Sequence, residues 1–324
     1  MSWKFLRASA AAFLLAVPLA GVAADNYPSQ SVKIVVPFPA GGQGIDYVAR
    51  TLAQRMQNQS GQAVVVDNRP GGGTVIGTGA VAKAPADGYT VLMMANSFTV
   101  NPSLQTNLPY DSEKDFSPVS LLTITPHVLV ARNDLPANDL KELLALAKKE
   151  PGMVTYASIG NGTSPHLAGE MLKKLASVDV VHVPYKGTPL ALTALMGGHV
   201  DLLFGNLPDV LPYLNDGKLK ALAISAPKRH ASLPKVPTME EQGFAEFESN
   251  SWYGMLAPAN VPDATIQQLN KLVVSILQEK EVQEAFNVRG LDVIASTPAE
   301  FKDWLRKEVD KYAQIIKASG ARID

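Results

Sequence analysis

The sequence predicts a two-lobed α/β protein with mostly parallel sheets. Three observations predict it. Apolar strand-like runs alternate with segments of helical period along most of the chain. At 324 residues the chain exceeds the usual size of a single core. Two short extended stretches, residues 122–126 and 247–256, are placed to carry the chain between halves, and Pro126 excludes a helix in the first. Two such crossings assign residues 25–125 and 247–324 to lobe 1 and residues 126–246 to lobe 2.

The elements follow in order. Residues 32–38 read as a buried strand, and Ile45, Val48, Leu52 and Met56 then keep helical spacing. Strands are expected at 63–67, at 89–95 after the Asp87-Gly88 turn, and at 128–131. Residues 140–147 are helical and end before Pro151-Gly152. A strand at 154–158, a helix at 167–175 and a strand at 178–183 come next. The helix at 190–196 is stopped by Gly197-Gly198. Strand 200–204, a short helix at 210–214 and strand 219–225 close the middle of the chain. The tail is helical at 264–277, 281–287 and 298–318.

Composition narrows the function. A formal net charge of −1 gives no basic surface for nucleic acid. The absence of cysteine excludes disulfides, thiolate zinc sites, iron–sulfur clusters, a cysteine nucleophile and a lipidated cysteine. At the N-terminus, Lys4 and Arg7 precede an apolar run over residues 8–24 that ends in Val22-Ala23-Ala24. This is the layout of a secretory leader, with cleavage expected after Ala24. Removing residues 1–24 takes away two cations and no anions, so the mature charge is 27 − 30 = −3. A disulfide-free secreted chain points to the periplasm, where ATP and nicotinamide cofactors are scarce. No cofactor and no metal are expected, and the default oligomeric state is a monomer.

Three strand-to-helix junctions carry the candidate chemistry. The first, from Phe38 through Pro39, Ala40, Gly41, Gly42, Gln43, Gly44 and Ile45 to Asp46, has three glycines that let backbone N–H groups approach a ligand. The helix start adds partial positive charge, so the turn suits a carboxylate or phosphate, or is an ordinary tight turn. The second runs from Ser158 through Gly160, Asn161, Gly162, Thr163, Ser164 and Pro165 to His166. Ser164 before Pro165 has the form of an N-cap, and capping is its plain alternative role. Asn206 stands at the third junction, able to donate and accept. Ser97, just beyond the third strand, joins the candidate set. Other chemistries fit less well. Gly160 and Gly162 match a dinucleotide fingerprint but Pro165 breaks it. The Arg69–Gly73 loop lacks the G-K-[ST] of a phosphate loop and reads as a surface loop with Arg69 in a salt bridge. The five histidines show no metal-ligand spacing. Ser164 with His166 could form a hydrolase pair, but there is no G-x-S-x-G elbow.

The combination of Asn68-Arg69-Pro70-Gly71, Asp87-Gly88-Tyr89-Thr90, Asn161-Gly162-Thr163-Ser164 and Val183-Pro184-Tyr185-Lys186-Gly187 resembles the periplasmic solute-binding component of tripartite tricarboxylate transporters, the TctC or Bug family. The resemblance runs from about Tyr27 to the C-terminus. It implies a type II periplasmic binding protein whose lobes, each a central sheet flanked by helices, close about a two-strand hinge. It implies a small organic carboxylate gripped by main-chain groups and waters of the turns at 38–46 and 158–166. It implies delivery to one large and one small integral membrane subunit, without catalysis. A ligand-binding sensor subunit for a membrane kinase would share this binding physics.

Two departures from the family pattern stand out. Gln43-Gly44-Ile45 places three residues between Gly-Gly and Asp46, where relatives place two, which changes the aim of Asp46. Gly205-Asn206 stands where many relatives have Asp after the Phe, so the cleft is expected to lack a carboxylate there and to take a ligand without an amine.

Overall fold

The computed structural model describes residues 27–247 and 249–319. The predicted leader and its cleavage point lie outside the described residues. In chain order the elements are β1 (Val32–Val36), α1 (Ile45–Ser60), β2 (Val64–Asn68), α2 (Val75–Ala82), β3 (Thr90–Met94), α3 (Ser97–Leu104), β4 (Phe116–Arg132) and α4 (Leu140–Lys149). Then come β5 (Thr155–Ser158), α5 (Ser164–Ala176), β6 (Val181–Pro184), α6 (Thr188–Met196), β7 (Leu202–Asn206), α7 (Leu207–Asn215) and β8 (Leu219–Ile224). The chain ends with β9 (Asn250–Pro258), α8 (Asp263–Leu277), α9 (Lys280–Asn287), β10 (Asp292–Val293) and α10 (Pro298–Ser319).

The strands order as β2-β1-β3-β9-β4-β7-β5-β6, with β8 and β10 also pairing β4. Each end of this order is parallel: β2-β1-β3 in lobe 1 and β6-β5-β7 in lobe 2. The middle is antiparallel, because β9 and β4 run against their neighbours and against each other. The sheets are therefore mixed, a correction to the mostly parallel expectation. The reason lies in the two crossing stretches. Neither is a free linker. Residues 122–126 lie inside β4, a 17-residue strand, and most of 247–256 lies inside β9. The two strands pair from Phe116↔Pro258 to Pro126↔Asn250, which bonds the crossings to each other.

β4 changes partner at a proline. Up to Pro126 it pairs β9, and from His127 onward it pairs β7 and β8. Proline lacks an N–H for a ladder, so it sits where pairing is handed over or irregular. Pro118 likewise sits at a register shift between Pro118 and Ser120.

Alternation along the strands builds a core on both sheet faces. Val32, Ile34 and Val36 of β1 pack into the cluster under α1 and α8, whereas Val35 packs with Phe98, Trp252 and Phe301 on the other face. Lobe 2 repeats the arrangement, with α4 and α5 on one face and α6 and α7 on the other. Helices α2 and α3 carry no periodic signal. Small residues dominate α2 (VIGTGAVA), and α3 is eight residues long with Pro102 inside it, so neither displays an amphipathic stripe. Parallel strands leave their C-terminal ends, and the helix starts that follow them, facing the space between the lobes.

Candidate functional site

Five helix starts converge between the lobes. A cavity of about 40 Å³ is lined by Gly42 and Ile45 before and at α1, Asn96 and Ser97 at α3, Thr163 and Ser164 at α5, Gly187 to Pro189 at α6, and Asn206 and Asp209 at α7. Phe38, Pro39, Ala95, Ile159, Ser251 and Tyr253 complete its wall. A volume of this size holds two or three water-sized groups, that is, one polar head of a ligand. It continues outward, through the shared residues Phe38, Pro39, Ile159, Thr163 and Gly187, into a groove of about 770 Å³ that also meets Gly71, Gln105, Asn161 and Lys186.

No Lys or Arg lines the inner cavity. The donors it offers an anion are the helix starts, whose unsatisfied N–H groups each carry a fraction of a charge. Hydroxyls supply the rest: Ser97, Thr163, Ser164, Thr188, Ser251 and Tyr253. The Tyr253 hydroxyl is buried with no hydrogen-bond partner, and burial, with Asp209 nearby, raises its pKa well above the usual value.

A polar network floors the cavity. His127 is fully buried, with Nδ1 2.8 Å from Ser249 Oγ and Nε2 3.1 Å from Ser251 Oγ and 3.2 Å from Ser164 Oγ. Ser164 Oγ also lies 2.8 Å from Ser251 Oγ, which donates to Asn206 Oδ1 at 2.7 Å. Asn206 Nδ2 donates to Asp209 Oδ2 at 3.2 Å. Desolvation lowers the His127 pKa to about 3, so the ring is neutral at physiological pH.

The network ends by crossing the cleft. Asp209 Oδ1 accepts from the backbone N–H groups of Gln43 at 2.8 Å and Gly44 at 3.2 Å. A lobe 2 carboxylate thus occupies two amides of the first glycine turn. Burial raises its pKa, against the three N–H donors that favour its charge. The expectation of a cleft without a carboxylate is corrected here: none stands at Gly205, but Asp209, one helical turn beyond, reaches the cavity. Asp209 lies four positions beyond Gly205, outside the junction motif.

The other predicted residues take different places. Phe38, Gly42, Ser97, Thr163, Ser164 and Asn206 line the inner cavity. Gly160 and Asn161 line the outer groove. Gly41 and Asp46 brace the first turn instead: Asp46 accepts from Gly41 N at 2.9 Å, Arg50 Nε at 2.9 Å and Asn68 Nδ2 at 2.9 Å. Burial opposes the charge, but these donors together hold its pKa below the usual value. Ala40 and Gln43 are exposed at the turn's rim, while Gly44 is packed under the Tyr253 ring.

In the second turn, Ser158 Oγ and Gly160 bond each other, and Ser158 Oγ meets His182 Nε2 at 2.7 Å. Gly162 N donates to His166 Nδ1 at 3.3 Å, and the His166 ring stacks on His182 with centroids 4.2 Å apart. Ser164 is not the N-cap. Thr163 holds that position, and its hydroxyl turns back to Gly160 O at 2.7 Å. The histidine beside Ser164 is His127 from β4, and Ser249 rather than a carboxylate orients its other nitrogen. Asn96, Thr188, Ser251 and Asp209 were missed. Their signal, a polar residue at or just past a helix start or within β9, is visible only once the helix starts are known to converge.

Comparison with known proteins agrees with this geometry. The family described as "Tripartite tricarboxylate transporter family receptor" matches residues 48–321. Protein BugT of Bordetella pertussis is 38% identical over 306 residues, covering 94% of each chain. The solved periplasmic binding protein BugD superposes with a TM-score of 0.87 at 36% identity, covering 91% of this chain and 99% of BugD. MatC from Rhodopseudomonas palustris, solved with bound malate, superposes with a TM-score of 0.84 at 31% identity, covering 90% and 100%. The matched family is one of transporter receptors and BugD is a periplasmic binding protein; neither is an enzyme. The chain belongs to the TctC, or Bug, family of periplasmic solute-binding proteins.

Proposed function

We propose that this chain captures a small organic carboxylate in the interlobe cavity and delivers it to a large and a small integral membrane subunit of a tripartite tricarboxylate-type transporter. Lobe 1 comprises residues 25–125 and 247–324, and lobe 2 residues 126–246. The paired strands β4 and β9 serve as the hinge. The mature chain begins after Ala24 and works in the periplasm as a monomer. One observation carries the reading: five helix starts and their hydroxyls converge on a head-group-sized cavity that no cationic side chain lines. Malate in MatC is a carboxylate of the same class. Ligand contacts to both lobes exist together only in the closed form, so binding shifts the population toward closure.

The test is calorimetry and thermal shift with mono-, di- and tricarboxylates and aromatic acids, paired with small-angle scattering. At least one carboxylate is expected to raise the melting temperature and reduce the radius of gyration. Stabilisation by sugars or metal ions alone, with none by any carboxylate, defeats the reading.

A further inference from the structure

We infer that Asp209 fixes the chemical class of the ligand, selecting a monocarboxylate that carries a hydroxyl, amide or ammonium donor and rejecting a second carboxylate. The inference rests on the carboxylate-binding reading above and deepens it. Asp209 is 4% exposed and lines the inner cavity. Its carboxylate already satisfies the amides of Gln43 and Gly44, so the first turn has two fewer N–H groups to offer a ligand anion. The inner cavity holds one polar head, so the ligand's acid group is left to the starts of α5 and α6 on the outer-groove side, where Thr163, Lys186 and Gly187 line the groove.

Two features say what stands opposite. Oδ2 of Asp209 accepts one bond, from Asn206, and keeps capacity for another donor. The buried Tyr253 hydroxyl has no partner and borders the same cavity. A ligand hydroxyl, amide or ammonium can donate to Asp209 and accept from, or sit beside, Tyr253. A ligand carboxylate there would place two like charges in one small, desolvated space lined by no Lys or Arg.

The experiment is isothermal calorimetry on the full mature chain with two matched series. One is butanoate, 4-hydroxybutanoate, 4-aminobutanoate and succinate; the other is benzoate, 4-hydroxybenzoate, 4-aminobenzoate and terephthalate. In at least one series a donor-bearing acid is expected to bind at least tenfold tighter than the diacid. Asp209→Ser is expected to reduce that preference at least tenfold, with Asp209→Asn, which keeps the shape, as a second variant; thermal melts confirm that each folds. A diacid bound tightest by the wild type, or an unchanged preference in both variants, overturns the inference while leaving the carboxylate reading intact. No binding of any of the eight acids overturns the inference, and the carboxylate reading falls with it when the tricarboxylates of the wider panel fail as well.

Discussion

In lobe 1 the glycine turn between β1 and α1 is held by carboxylates; in lobe 2 the turn between β5 and α5 is held by hydroxyls and neutral imidazoles. Both are strand, glycines, helix. In the first, Asp46 gathers Gly41, Arg50 and Asn68 from below, and Asp209 takes Gln43 and Gly44 from across the cleft. In the second, Ser158 and Thr163 close the turn on Gly160, and Ser164 leaves the turn to join His127 and Ser251. A glycine-rich helix start is therefore only a supply of N–H groups. What it binds depends on which acceptors the rest of the chain has already brought to it.

Acid separates the two turns most strongly. His127 is depressed from 6.5 to about 3, so its contribution to stability is fully present above pH 6.5 and lost as pH falls through 3. A depression of that size corresponds to about 4 to 5 kcal/mol at most. Asp209 works in the opposite sense. Its raised pKa means the folded state holds a proton more readily, so stability falls as pH rises through the range above the ordinary carboxylate value. Thermal melts of the ligand-free chain between pH 7.5 and 4 are expected to show net loss on acidification, and His127→Gln to flatten it. Parallel curves for the two proteins would remove His127 from the account.

Glycine substitution breaks the comparison by sterics. A Cβ at Gly44 would lie 2.3 Å from the Tyr253 hydroxyl, so the buried ring would have to shift into the cavity it lines. Gly44→Ala is expected to cost about 3 kcal/mol and to displace Asp209 from its amides. At Gly160 the nearest atoms are 3.7 Å away, but φ is +133°, so Gly160→Ala costs only backbone strain, about 1 to 2 kcal/mol. Urea midpoints rank the two; equal losses would show that packing against Tyr253 does not distinguish the turns.

The sequence made the alternation of elements legible because long apolar runs and helical spacing are local signals. The predicted residues that line the cavity, Gly42, Ser97, Thr163, Ser164 and Asn206 among them, stand at or beside strand-to-helix junctions, where glycine, proline and hydroxyl residues mark helix starts. What stayed hidden is non-local. The antiparallel pairing of β4 with β9 joins residues more than a hundred positions apart and leaves no periodic trace. His127 reads as an ordinary core-strand residue until β9 brings Ser249 and Ser251 to it. Asp209 looks like a helix-start acid until the fold carries it across the cleft to Gln43 and Gly44, 165 residues away and more. Ser164 has the local form of a cap because the Ser-Pro pair is a good cap signal, but a tertiary network claims its hydroxyl instead.

Removing charge from the first turn alone is a smaller perturbation. Asp46→Asn keeps the shape and leaves one oxygen for Gly41 or Asn68, but loses the ion pair with Arg50, which is half exposed. The expected loss is about 1 to 2 kcal/mol at neutral pH. Because the Asp46 pKa is lowered, that contribution is present above the ordinary carboxylate value and disappears as pH falls below it, so wild type and variant should converge in acid. Melts that stay a constant distance apart at every pH would assign the effect to shape rather than charge.

The smallest effect tests what Ser164 does. Its hydroxyl bonds Ser251 and His127, and each keeps another partner when it is removed, Asn206 for Ser251 and Ser249 for His127. Ser164→Ala should therefore cost only about 1 kcal/mol. A capping serine would lose a similar amount to alanine, so that substitution alone decides nothing. Asparagine decides. It caps helices as well as serine does, so Ser164→Asn would be nearly neutral if the side chain capped α5. In the network it must fit a larger amide into a buried site, 4% exposed, between His127 and Ser251, and should destabilise more than alanine. A higher denaturation midpoint for Ser164→Asn than for Ser164→Ala would return Ser164 to the helix start and detach the second turn from the cavity floor.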